Sequence, residues 1–467
     1  MFDLNGIRGV TSDSRAVKDG YVFAAIAGAH HDGHDYIDVA IKQGASAILS
    51  DRDLVLPSGV RLIKVDNPRR ALAQMAAQFY QGAQPETVVA VTGTNGKSSV
   101  VTFAEQLWQY QGLNARSLGT INAKLTSPDP VSLHQILVDL HEEGVTHLAL
   151  EASSHGLDQC RIDGVRLSAA GYTNLSRDHL DYHATMDEYF QAKARLFSEC
   201  LPHDGVAVVN MDDPYGARIV AQSNAPCLTY GYDGEHLRIL EVEPVGAGTE
   251  VRLDMFGQEY QVFVPLIGAF QISNLLCAAG LTLQTMKPAR KDVDGLVQAF
   301  AKIKPVKGRL QHVAGHPAGA DIYIDYAHTP DALDTVLKAV RPHVKGRLVC
   351  VFGCGGDRDQ GKRPLMGSVA ANRCETVIVT DDNPRNEKAV DIRKQILAPI
   401  KDVMHNENVF EIGDRAAAID FSIKQLKQGD VLVIAGKGHE SGQILAGEVI
   451  PFDDYEEAAN AIEKIKG

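Results

Sequence analysis

Two segments far apart in this chain carry residue types whose spacing could do chemistry. The first, Val91-Thr-Gly-Thr-Asn-Gly-Lys-Ser-Ser99, has the form of a phosphate loop. Gly93 and Gly96 permit a tight turn and a close backbone approach to phosphates. Lys97 supplies a point charge, and Ser98 can offer its hydroxyl to Mg²⁺. A stricter spelling of the loop has a further glycine where this chain has Val91, so the flanking strand and helix carry the reading. The second segment is Gly355-Gly-Asp-Arg-Asp-Gln-Gly-Lys-Arg-Pro364, followed by Asp382-Asn-Pro-Arg385. A bound nucleoside triphosphate beside such charged loops points to an ATP-driven ligase rather than a motor, switch or kinase.

Three blocks must position these groups. Residues 1–85 mix short strand-like pieces (Tyr21–Ile26, Ala47–Leu49) with turns and close on a helix from Arg69 to Tyr80. Little sequence precedes Thr11, so the edge of this block is left open. Gly82-Ala-Gln-Pro85 reads as a linker. Residues 86–304 open with the apolar strand Val88–Val91, the glycine loop and a helix from Lys97 to Tyr110. A second buried strand, His147–Glu151, ends at a polar loop. This alternation predicts a parallel sheet wound with helices, and Leu237–Leu240, Glu250–Leu253 and Tyr260–Val264 predict an antiparallel extension. Helices through Asn274–Leu283 and Val293–Ala301 end the block. Residues 305–467 resume the βα alternation, with strands at Ile322–Ile324, Leu348–Phe352, Thr376–Thr380 and Val431–Ala435. That is a second doubly wound sheet, whose ligand site belongs at the carboxyl ends of its strands.

The bulk properties exclude several classes. The 467 residues exceed one ordinary domain, and 45% hydrophobic with 22% charged residues is a globular composition. A net charge of −13 argues against nucleic acid or an anionic membrane as the main partner. No run has the length of a membrane span, and the first residues lack the pattern of a signal peptide. The seven cysteines are scattered, and Cys350 with Cys354 lacks the second pair that zinc would need. These features predict a reduced, cytoplasmic enzyme.

The shorter loop Thr92-Gly-Thr-Asn-Gly-Lys-Ser98 resembles that of the Mur ligases, the amino-acid-adding enzymes of peptidoglycan precursor synthesis, and of their folylpolyglutamate synthetase relatives. Further similar segments span nearly the whole chain: Glu151-Ala-Ser-Ser-His-Gly-Leu157, Asn174-Leu-Ser-Arg-Asp-His-Leu-Asp181, Tyr189-Phe-Gln-Ala-Lys193 and Asp325-Tyr-Ala-His-Thr-Pro330. The resemblance implies an α/β, three-domain architecture. A substrate-binding N-terminal domain would precede a phosphate-loop ATPase domain with a parallel sheet and a Rossmann-like, doubly wound C-terminal domain. It implies ATP contacts at Gly93, Thr94, Asn95, Gly96, Lys97, Ser98, Ser99, Asn274, Arg309 and Asp325. It also implies catalytic roles for Lys97, Glu151, His179 and Lys193. Ser98, Glu151, His179 and Lys193 would hold Mg²⁺, the lysine as a carbamate that turns an amine into an anionic oxygen ligand. Outside the family context, a lone Glu or His, or a lysine on a helix from Asp187 to Phe197, reads as structural.

The same resemblance reaches the substrates. Ser12, Ser14, Ala29, His30 and His31 match contacts to a UDP group, and Thr126, Ser127, Ser153, Gln159 and Arg161 match contacts to a muramoyl dipeptide. As bare sequence the Ser and Thr residues are ordinary turn and cap residues. The tetrapeptide Asp-Asn-Pro-Arg occurs twice, at 66–69 and 382–385. In the first copy, Asn67 caps a helix and Pro68 fills its first turn. The second copy is similar to the signature of the branch that adds meso-diaminopimelate, whose distal carboxylate suits a paired contact from Arg385. Arg358, Asp382, Asn383, Pro384, Gly436 and Glu440 would complete that pocket, with Glu440 facing the distal ammonium. As bare sequence, Arg358 and Glu440 are surface charges at strand ends.

Ser99 and Ser127 stand where the family often has threonine, and Gln271 where it often has asparagine; no named chemical group is lost. The alternatives are an L-lysine-adding ligase, disfavoured by an unmatched Arg385, a folylpolyglutamate synthetase and a non-catalytic nucleotide-binding scaffold. Small-molecule substrates, a monomer and closure of the last domain about Gly308-Arg309 are expected.

Overall fold

The valine-rich run predicted as a strand becomes the centre of the molecule. In the computed structural model, which describes residues 2–28, 31–121, 126–179, 182–246, 248–401, 403–445 and 447–466, every strand of the central sheet is assembled around it. Ala29 and His30, read above as UDP contacts, lie outside the described residues.

The N-terminal block is a four-stranded, all-parallel sheet: β1 (Gly9–Thr11), β2 (Tyr21–Ala24), β3 (Ala47–Ser50) and β4 (Arg61–Lys64), in that order. The helix Pro68–Phe79 buries Leu72 and Met75 against it. Asn67 caps this helix by accepting the Arg70 N–H, with Pro68 in the first turn, as predicted.

The central sheet has nine strands in order β13-β12-β11-β10-β9-β8-β5-β7-β6. Here β5 is Thr87–Thr92, β6 Ala115–Leu118, β7 His147–Glu151, β8 Ala169–Tyr172, β9 Val206–Asn210 and β10 Cys227–Gly231. The predicted extension is β11 (Leu237–Val245), β12 (Gly248–Met255) and β13 (Gln258–Val264), antiparallel to one another and longer than expected. Val89 and Val91 face one side of β5, and Val88 and Ala90 the other; both faces are covered, as a parallel sheet requires. The helices Lys97–Tyr110 and Ala269–Leu283 lie side by side on the first face. The helix expected at Asp187–Phe197 runs Met186–Arg195 and widens into a π-helical turn, Leu196–Cys200.

The C-terminal sheet runs β14-β15-β19-β16-β17-β18. These are Gln311–Val313, Asp321–Asp325, Val431–Ala435, Leu348–Phe352, Thr376–Val379 and Val409–Glu411. All but the edge strand β14 are parallel. A hairpin, β20 (Gly442–Leu445) and β21 (Glu448–Pro451), lies beside the Asp382–Arg385 loop. All seven cysteines are free.

Candidate active site

The phosphate loop follows β5 and opens the helix Lys97–Tyr110. Its glycines are required by close approach. A Cβ on Gly93 would lie 1.8 Å from Thr173 Oγ1, and one on Gly96, at φ +90°, 2.4 Å from Asn274 Oδ1. The loop is braced by the segment after β8. Asn174 O accepts from the Thr94 N–H at 2.8 Å, and Asn174 Oδ1 from the Asn95 N–H at 2.9 Å. Lys97 curls back on the loop, its Nζ donating to Gly93 O at 2.8 Å and Thr94 O at 2.9 Å. Burial depresses its pKa, against the pull of Glu151 and Asp178.

Glu151 ends β7 beside the loop and is buried. Its Oε1 accepts from Ser98 Oγ at 2.8 Å and the Thr120 N–H at 2.9 Å; its Oε2 accepts from Thr120 Oγ1 at 3.1 Å. The two predicted metal ligands Ser98 and Glu151 are thus in contact, and Thr120 fixes the carboxylate plane. Lys193 is buried on the same side. Its Nζ donates to the Gly93 carbonyl that Lys97 also uses, at 2.8 Å, and lies over the Tyr189 ring. Burial, reinforced by the Lys97 charge, holds its pKa well below that of an ordinary lysine. His179 lies at φ +53°, and burial lowers its ring pKa to about 4. Among the described residues no three His, Cys, Asp or Glu side chains form a ready-made metal cage.

Beside the loop, a cavity of about 280 Å³ opens between the central and C-terminal sheets. Asn95, Gly96, Ser99, Asn274, Arg309 and Asp325 line it, so most of the predicted ATP residues converge there. Arg309 crosses from the C-terminal block, its guanidinium 4.5 Å from the Tyr326 ring centre and donating to Ser98 Oγ at 3.2 Å. Asp325 accepts the Leu310 and Ala327 N–H groups at 2.7 and 2.8 Å, which fixes the chain on either side of this crossing. Burial raises its pKa.

A second cavity, about 220 Å³, lies at the carboxyl ends of β16, β17 and β19. Arg358, Asp382, Asn383, Arg385, Gly436 and Glu440 line it, as do Asp178 and His179 from the central block. Pro384 does not line it; its carbonyl abuts Gly356, where a Cβ would lie 1.9 Å away. The organising cation is Lys437, fully buried at 0% exposure. Its Nζ donates to Asn383 Oδ1 at 3.0 Å and Glu440 Oε2 at 3.1 Å, and lies 3.5 Å from Asp382 Oδ1. Asp382 Oδ1 is buried and accepts no hydrogen bond among the described residues. Arg385, at φ +51°, is held by its N–H to Ile444 O at 3.2 Å and by its guanidinium to Gly356 O at 2.8 Å.

Domain families match the chain in three places: the Mur ligase family catalytic domain at residues 6–80, the Mur ligase middle domain at 91–282 and the Mur ligase glutamate ligase domain at 308–438. A UDP-N-acetylmuramoyl-L-alanyl-D-glutamate–2,6-diaminopimelate ligase of Brucella melitensis is 46% identical over 98% of this chain and 94% of the relative. The enzyme of the same name from Bradyrhizobium diazoefficiens is 47% identical over 98% and 95%. The chain belongs to the Mur ligase family. A solved structure of a ligase of that name superposes with a TM-score of 0.70 at 34% identity, covering 99% of this chain and 96% of the other. A MurF ligase from Thermotoga maritima in complex with ADP shares the fold, with a TM-score of 0.64 at 21% identity over 99% of each chain.

The residues that the resemblance assigns to the muramoyl dipeptide form one network in the central block of this Mur ligase. Arg161 donates to Ser127 O at 2.6 Å and to Gln159 Oε1, and Ser127 Oγ meets Ser153 Oγ at 3.1 Å. Thr126 Oγ1 joins through Thr120 Oγ1 at 2.9 Å. Ser12, Ser14 and His31 sit apart in the N-terminal block, Ser12 and His31 exposed and Ser14 opening a short 3-10 helix. Sequence reasoning missed Thr120, Asp178 and Lys437. The Gly-Lys-Gly-His-Glu run that held Glu440 was the available signal for Lys437; Thr120 had none.

Proposed function

We propose that this Mur ligase joins meso-diaminopimelate to the D-glutamyl carboxylate of UDP-N-acetylmuramoyl-L-alanyl-D-glutamate, converting ATP to ADP and phosphate, in peptidoglycan precursor synthesis. The observation that carries the amino-acid choice is the C-terminal cavity. Arg385, a cation, lines it together with the carboxylates of Glu440 and Asp382, the two signs that a distal carboxylate and ammonium on one carbon require.

The substrate carboxylate attacks the γ-phosphate, giving an acyl phosphate and ADP. The amine of diaminopimelate then attacks the acyl carbon, and phosphate leaves from the tetrahedral intermediate. Lys97 and the loop N–H groups stabilise the transferring phosphoryl group, Arg309 and Asn274 position the nucleotide, and Arg161 with Gln159 orients the dipeptide. Ser12, Ser14 and His31 contact the UDP group. Ser98 and Glu151, already in contact, with His179 and a carbamylated Lys193, are a hard-oxygen and imidazole donor set that fits Mg²⁺. A cation held by these residues would neutralise charge on the transferring phosphoryl group. Lys193 supports the carbamate reading, because burial and the nearby Lys97 charge favour the neutral amine, the form that adds CO₂.

Domain boundaries near residues 85 and 305 fit the linkers between the three sheets. One chain carries both cavities, which supports action as a monomer. No helix among the described residues is long and apolar enough to cross a membrane; a cytoplasmic location follows from the substrates of the proposed reaction.

Phosphate release is the test, with ATP, Mg²⁺ and the UDP-dipeptide present and either meso-diaminopimelate or L-lysine added. Release with diaminopimelate alone is expected. A preference for lysine would overturn the pocket reading, and silence with both would overturn the reaction.

A further inference from the structure

The proposed substrate carries two amino-acid heads, and the second cavity has two ends. Lys437, Asp382, Glu440 and Arg385 serve the distal end. The other end faces the phosphate loop, because Asp178 and His179 line the cavity from the central block and both lie within electrostatic range of Lys97. The amine that attacks the acyl group must sit there. As an ammonium it needs an anion when it enters.

Two carboxylates are near that end. Asp359 is engaged by Arg177, 3.4 Å across the domain boundary, and its Oδ1 accepts the Gly361 N–H at 2.8 Å. Asp178 differs. It accepts the His179 N–H at 2.9 Å and has the His179 ring at 3.4 Å, where Asp359 has the Arg177 guanidinium. Arg177, the residue before it, anchors this loop against the C-terminal block. Lys362 reaches the same end, with Nζ 2.9 Å from His328 O, where it suits the carboxylate on the reacting carbon.

We propose that Asp178 is the anchor for the reacting ammonium of the amino-acid substrate. It is the counterpart, on the central domain, of Glu440 at the distal end. This rests on the diaminopimelate reading above. The competing role for Asp178 is orientation of His179 as a metal ligand, a carboxylate behind an imidazole. The two roles predict different kinetics.

The experiment compares Asp178→Asn and Asp178→Glu with the wild-type enzyme, using meso-diaminopimelate as substrate and 2-aminopimelate as competitive inhibitor. The inhibitor retains both carboxylates and the distal ammonium but has hydrogen in place of the reacting amine. Asp178→Asn is expected to raise the diaminopimelate KM about 30-fold, the loss of a charged hydrogen bond, and to change the inhibition constant of 2-aminopimelate by about 2-fold or less. Asp178→Glu should recover much of the loss. The Mg²⁺ concentration for half-maximal rate should be unchanged in both. Equal weakening of substrate and inhibitor, or an increased Mg²⁺ requirement as the main effect, overturns the proposal. If Asp178→Asn misfolds, Asp178→Ala supplies the ratio of the two constants instead. A wild-type enzyme that ignores diaminopimelate would instead defeat the reading beneath it.

Discussion

The tetrapeptide Asp-Asn-Pro-Arg at 66–69 and its copy at 382–385 have the same residues and opposite fates. In the first, Asn67 is an extended N-cap whose Oδ1 accepts the Arg70 N–H at 3.0 Å, and Pro68 begins a helix. Arg69 reaches outward to the Ala27 carbonyl at 2.7 Å. In the second, Asn383 is buried, and its Oδ1 accepts from Lys437 Nζ at 3.0 Å and the Ile444 N–H at 2.9 Å. There Arg385 takes a left-handed backbone, and no helix starts until Ala389. The difference lies in the surroundings. The first copy is followed by Arg70-Ala-Leu-Ala, a strong helix former. The second leaves a buried parallel strand and meets a buried cation and a hairpin. Local sequence permits both outcomes; tertiary partners choose, and the strained copy is the one that faces a cavity.

The largest effect should come from the cation that makes the second copy different. Lys437→Met leaves Asp382 and Glu440 without their shared counter-charge. We expect kcat/KM for diaminopimelate to fall on the order of 1000-fold, the cost of breaking a buried charge cluster, with ATP-analogue binding retained. Calorimetric titration with the analogue separates this from global unfolding; joint loss of nucleotide binding would make Lys437 a general fold determinant instead. Next, Arg385→Ala should lower kcat/KM for diaminopimelate by about 100-fold, while the KM for ATP stays within about 2-fold. A drop shared by both substrates would erase the distinction between the cavities.

The same contrast explains what could be read from the chain. The strands His147–Glu151, Leu348–Phe352 and Val431–Ala435 match their expected limits, because apolar runs buried on both faces leave no competing assignment. The helix Lys97–Tyr110 also matches, its start fixed by the glycine loop. β1 and β4 were not legible. β1 is only three residues long, and β4 reads Arg61-Leu-Ile-Lys64, with both ends exposed, so neither shows a strand period. In the site, residues belonging to contiguous motifs were recognisable and converge. Thr120, Asp178 and Lys437 were not assigned, since a threonine after a glycine or a lysine between glycines reads as surface. Thr120 and Lys437 are tied to side chains distant in sequence, Glu151 and Asn383. Ala29 and His30 lie outside the described residues.

The first copy supplies the smaller effects. Asn67→Ala removes an N-cap and should lower stability in urea unfolding by about 1 kcal/mol, with the diaminopimelate KM unchanged. A loss of amino-acid use would mean the copies share a role. Arg69→Ala is expected to do least, because its bond to Ala27 O is exposed and a single such bond contributes about 1 kcal/mol or less. Its consequence is nevertheless directional. Ala27 pairs with Asp32 in an isolated bridge, and Asp32 is next to His31, a proposed UDP contact. Loosening that bridge should raise the KM for the UDP-dipeptide by about 3-fold while leaving KM for diaminopimelate unaltered. Arg385→Ala should show the reverse pattern. Initial-rate measurements with each substrate varied in turn therefore assign one arginine of the repeated tetrapeptide to each end of the reaction. An Arg69→Ala enzyme with every KM unchanged would make the first copy a helix start and nothing more.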